Sequence, residues 1–129
     1  MTTDLWCLVA NAIWGWMLVS VEATGTTRAA GTEWNLSNRE TEPEVPAWVK
    51  RVRRAINNHK ENFPFFLTAV VVVAIAGKAD RVSAIASIVY VFARLAHGML
   101  YTAGITKARS AAFLFGLGSI FVILSRLVL

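Results

Sequence analysis

"RRAINNHKENFPFF", residues 53–66, puts two arginines, three asparagines, a histidine, a lysine and a glutamate directly before the apolar run "FPFFLTAVVVVAIA". Such polarity at the mouth of an apolar segment is either a solvated anchor or one wall of a site for a charged ligand. The spacing favours the second. Arg51, Arg54, Asn58 and Glu61 are three, four and three residues apart, which stacks them on one face of a helix. Arg53, Asn57 and Lys60 project elsewhere, toward headgroups or a loop. Pro64 is predicted to kink the helix where the polar face ends.

Outward from this stretch, the 129-residue chain reads as one domain, 1–129, of 56% hydrophobic and 16% charged residues. Its apolar residues fall into four blocks, Leu5–Val21, Phe63–Ala76, Val82–Tyr101 and Ala111–Leu129. A bilayer requires every backbone polar group to be bonded internally, so these blocks are read as membrane helices. The second block is short and becomes long enough only if its helix begins near Trp48, with a basic first half projecting from the lipid. The expected spans are therefore 5–21, 48–76, 82–101 and 111–129, an all-α, integral-membrane four-helix bundle. Residues 22–47 form the one long connection, rich in Thr, Gly, Ser and Pro, with an acidic stretch before the basic cluster. It is either a solvated face or a lid.

Lys and Arg counts orient the chain. Nine basic residues (Arg28, Arg39, Lys50, Arg51, Arg53, Arg54, Lys60, Lys107, Arg109) lie on the side of the first and third connections, and Lys78, Arg81 and Arg126 on the other. This predicts a cytoplasmic 22–47 loop with both termini outside. "MTTD" offers no basic leader region, so the first helix is expected to remain despite "VEA" at 21–23. The basic residues sit at headgroup level, which disfavours a nucleic-acid partner. Cys7 is expected as a small buried hydrophobe, and no metal-ligand pattern joins His59 and His97.

A second polar stripe lies deeper. Tyr90, Arg94, His97 and Tyr101 are four, three and four residues apart, again one helix face. An arginine near a span's centre costs roughly 2.5–3.5 kcal/mol on insertion scales, so it generally faces the bundle interior with a partner. Glu61 is the expected partner of Arg94 or Arg54, whether as a ligand site or as an ion pair that only holds helices together. His97 and Tyr101 serve either packing or ligand contact. Arg109, beside Ser110 at the start of the last span, is either an anion site at a helix end or a snorkelling anchor. The arginines exceed what Glu61 can neutralise, which invites a small polyanionic ligand.

These residues resemble the membrane-associated proteins in eicosanoid and glutathione metabolism, the MAPEG superfamily, in a bacterial-type member. Arg54, Ala55, Asn58, Glu61, Asn62 and Pro64 match one family motif, and Arg94, His97 and Tyr101 match another. The resemblance implies a homotrimer with the second long helix innermost and glutathione bound as co-substrate between subunits. It implies glutathione contacts at Arg51, Arg54, Asn58, Glu61, His97, Tyr101 and Arg109, joined or supported by Arg94. Arg109 matches the arginine thought to stabilise the thiolate. Phe113 stands where the prostaglandin-synthase members carry a tyrosine.

The leading expectation is a membrane-bound, glutathione-dependent transferase or peroxidase acting on lipophilic electrophiles, in a bacterial inner membrane. The rival is a non-catalytic, lipid-binding member or an accessory subunit of a larger membrane complex. A third reading is a proton or ion pathway built from Arg94, His97 and Glu61.

Overall fold

The computed structural model describes all residues, 1–129, and is entirely helical. Helix α1 spans Thr3–Ala30, α2 Thr32–Leu36, α3 Ala47–Ile75, α4 Arg81–Ala103 and α5 Lys107–Ser125. The helices α1, α4 and α5 are long and apolar enough to cross a membrane. The 29-residue α3 carries the polar stretch in its first half and falls outside that group for this reason. It starts at Ala47, next to Trp48, and runs without a break through Pro64. The connection after the first span begins later than expected, because α1 continues past Val21 to Ala30 and stops at Gly31, whose φ of 89° favours glycine.

The packing inverts that of a water-soluble bundle. Large apolar side chains such as Ile13, Ile85, Phe92, Phe115 and Phe121 point outward, while Ser83, Ser87, Ala86 and Gly98 are buried between helices. Lipid tails are as apolar as leucine, so helices gain by close backbone approach and internal hydrogen bonds rather than by burying bulk. Gly98 shows the closeness: a Cβ added there would lie 2.8 Å from Cζ2 of Trp14. Gly98→Ala is expected to lower stability by about 1–3 kcal/mol. Gly118→Ala is the control, since nothing lies within 4 Å of its added Cβ. Equal unfolding curves for the two variants in detergent would contradict this packing.

The core has an apolar layer and a polar layer. Phe66 stacks on Tyr90 with ring centroids 3.9 Å apart, and Cys7, Val70, Val73, Ala86, Ile120 and Ile123 surround them. Cys7 is buried, as expected. On one side of this layer, Ser87 donates to the buried Asp4 carboxylate at 2.9 Å. On the other side lie Asn11, His59, Arg94 and His97.

Two polar clamps fasten the helix ends. Arg53 donates to Glu22 at 2.6 Å and to the Thr26 hydroxyl at 3.1 Å, and lies 3.5 Å from Glu42. It thus ties α3 to α1 and to the loop. At the opposite end, Asp80 caps α4 through the amides of Val82 and Ser83, and Ser83 returns a bond from the Asp80 amide. Arg126 adds a 2.8 Å ion pair to Asp80.

The Ser83 amide, helped by Arg126 and the Val82 amide against a smaller opposing effect of burial, holds the Asp80 carboxyl below its ordinary value. A depressed carboxylate contributes stability that is present above the unfolded value of about 3.9 and is lost as pH falls through the folded one. Asp80→Asn is therefore expected to flatten the acid limb of the melting-temperature profile below about pH 4. An unchanged acid limb would show that Asp80 makes no such contribution.

Candidate functional site

A cavity of about 400 Å³ opens between α3, α4 and α5, lined by Asn58, His97, Tyr101, Arg109, Ser110, Phe113 and Leu114. Each helix delivers its share by simple periodicity. His97 and Tyr101 are one turn apart on α4, and their rings meet edge-on at 5.6 Å. Arg109 and Phe113 are one turn apart on α5. The Arg109 guanidinium carbon lies 4.3 Å from the Tyr101 ring centroid, a cation–π contact that orients the cation. Phe113 faces His97 with centroids 6.3 Å apart. No carboxylate lines the cavity. The site is cationic and hydrogen-bonding, with one aromatic wall.

Arg94 stands behind this cavity, 3% exposed. Its Nη2 donates to Asn58 Oδ1 at 3.0 Å. The expected pairing with Glu61 is corrected here: Glu61 is exposed and forms no ion pair within the chain, and neither does Arg54. The reason is geometric. Asn58 lies one turn before Glu61 on α3, on the side that faces α4, and its neutral amide reaches the guanidinium first. The ion pair that does join α3 to α1 is Arg53–Glu22.

The eight residues singled out from the sequence therefore divide. Asn58, His97, Tyr101 and Arg109 line one cavity, with Arg94 bonded behind it. Arg51 lies at the end of the bundle, where its Nε donates to the Thr102 carbonyl at 2.7 Å. Arg54 and Glu61 are exposed on α3. No group of His, Cys, Asp and Glu suited to a metal ion exists.

Asn11, Asp4, Ser87 and His59 escaped the sequence reading as interior polar groups. The signal was present for one of them: extending the α4 stripe backward from Tyr90 by three residues reaches Ser87, and by four more reaches Ser83. A larger cavity, about 670 Å³, shares Leu114 with the Arg109 cavity but holds none of its charged groups. It is an apolar groove between α4 and α5, lined by residues such as Val82, Ile85, Leu114 and Val122.

The model of the MAPEG family matches residues 3–129. No individual curated protein matches the chain. The match covers nearly the whole chain and agrees with three apolar membrane-length helices. The chain is an integral membrane protein and belongs to the MAPEG family, whose members act in glutathione and eicosanoid metabolism.

Proposed function

We propose that the protein is a glutathione-dependent transferase or peroxidase acting on lipophilic electrophiles that reach the site from the bilayer. The observation that supports this best is the carboxylate-free cavity at Arg109, His97, Tyr101, Ser110 and Asn58. Glutathione carries two carboxylates and an ammonium, so arginines can clamp it through charge-assisted bonds. A thiol with a pKa of about 8.5 is mostly protonated at neutral pH, and a nearby cation raises its nucleophilic fraction. Arg109 holds that position. In conjugation the thiolate sulfur forms a bond to the electrophilic carbon, and the leaving group departs with its electron pair.

We also propose a homotrimer with α3 innermost. Arg54 and Glu61 support it: both are exposed on α3 with no ion-pair partner in their own chain, so a neighbouring copy would complete their surroundings. On this reading Arg51, Arg54 and Glu61 bind the ends of glutathione across the subunit boundary. The bacterial inner membrane, with both termini outside the cytoplasm, remains the proposed setting. The apolar α4–α5 groove favours a second reading, a non-catalytic lipid-binding or accessory subunit.

Glutathione titration of the purified protein by calorimetry, alongside its mass in detergent, tests both proposals. Saturable binding to a trimer is expected. A monomer in mild detergent would sink the trimer, and absence of glutathione binding would favour the lipid-binding reading.

A further inference from the structure

Five buried polar atoms between α1, α3 and α4 have no partner within the chain: Nδ2 and Oδ1 of Asn11, Nδ1 of His59, Nε of Arg94 and Nδ1 of His97. Asn11 is wholly enclosed, at 0% exposure. Buried polar groups are nearly always hydrogen-bonded, and an amide with both ends unpaired in a membrane interior is strongly disfavoured. Their residues lie where α1 meets α3 and α4. The His59 ring lies against the Asn11 backbone and against Gly15, one turn further on α1, where an added Cβ would be 2.6 Å from Nε2. Trp14 donates from Nε1 to the Arg94 carbonyl at 3.2 Å, holding the same region of α1 onto α4. His97 follows Arg94 by one turn.

This cluster lies between two cavities. His97 lines the cavity of Arg109. His59 lines a different one, of about 300 Å³ between α1 and α3, with Ala12, Gly15, Trp16, Lys60 and Phe63 among its walls. Each imidazole thus borders one cavity while its Nδ1 is buried without a partner in the chain. Buried waters typically make about three hydrogen bonds to such otherwise unpaired groups.

We propose that Asn11, His59, Arg94 and His97 form a water-holding site that conducts the thiol proton from the Arg109 cavity to the α1–α3 cavity. The conduction part rests on the thiol reading above. The S–H bond breaks, the electron pair stays on sulfur beside Arg109, and the proton passes to the His97 imidazole. His97 releases its other ring proton to the enclosed water, which passes one to His59. His59 releases a proton into the second cavity, near the exposed Lys60. The charged or titratable groups that act on His97 are Arg94 on its own helix, Arg109 on α5 and His59 on α3, and its ring meets that of Tyr101 edge-on. His59 feels the charge of Arg94, while the α1 residues against it, Asn11 and Gly15 among them, are uncharged. The surrounding cations repel an added positive charge, which favours onward passage over storage. Glu61 plays no part in this route.

Asn11→Leu tests the water site in the full-length protein without any thiol. Leucine approximates the side-chain volume but abolishes the polar atoms. An amide bonded to internal water is lost at a cost, so a lowered melting temperature in detergent is expected; a raised or unchanged one overturns the site. His59→Gln tests conduction, because His59 lies outside the Arg109 cavity. On mixing with glutathione, indicator-detected proton release should slow by roughly 10–100-fold at unchanged affinity and recover with added imidazole. Should glutamine not pack beside Gly15, His59→Asn repeats the measurement with a smaller amide. Proton release at the wild-type rate overturns the conduction route. Wild-type protein that binds no glutathione refutes the thiol reading and the conduction route together, while Asn11→Leu still decides the water site.

Discussion

Arg109→Leu is expected to abolish thiol conjugation while leaving the fold and assembly in place. The residue is on the first turn of α5, half-buried, and its main contact is the face of Tyr101. Leucine keeps an apolar surface against that ring, so the structural cost is small. The chemical cost is large, because Arg109 is the one cation lining a cavity with no carboxylate. Removing a preorganised charge-stabilising donor from a water-poor site costs about 100–1000-fold in turnover. Phe113→Tyr is the companion variant. It adds a hydroxyl one turn along the same helix, but nothing holds that hydroxyl in a fixed geometry, so unchanged or modestly raised turnover is expected. Turnover with a chromogenic electrophile, beside the mass in detergent, reads both. Conjugation that survives Arg109→Leu would remove the central residue of the mechanism.

Asn58→Leu is expected to damage stability and thiol binding together. Asn58 accepts from Arg94 Nη2, the only side-chain hydrogen bond made by this buried guanidinium. Leucine would leave the charge without that acceptor, at a cost of about 1–3 kcal/mol or more because the donor is charged. Asn58 also lines the cavity, so affinity should fall with stability. The double variant Asn58→Leu with Arg94→Met removes both partners and should regain part of the lost stability, as buried charged groups often do when replaced by apolar ones. Its affinity should not return. A double variant no more stable than Asn58→Leu alone would mean that the Asn58–Arg94 bond is not the cause of the loss.

Periodicity alone determined that Arg51, Arg54, Asn58 and Glu61 share one helix face and that Tyr90, Arg94, His97 and Tyr101 share another. A helix repeats every 3.6 residues whatever surrounds it, so these groupings are a property of the chain. The lengths of the apolar blocks determined the membrane character in the same way, since the bilayer demands internally bonded helices. Which stripe faces which was a different matter. Charge counting paired Arg94 with Glu61, but the rotation of α3 against α4 brought Asn58 to the guanidinium and left Glu61 exposed. Helix rotation and register are set by close contacts such as Gly98 on Trp14 and Gly15 on His59, between residues more than 40 positions apart. Asn11 makes the same point: its apolar block holds two polar letters, Asn11 and Ser20, and only the packing of α1 onto α3 and α4 encloses Asn11 against His59.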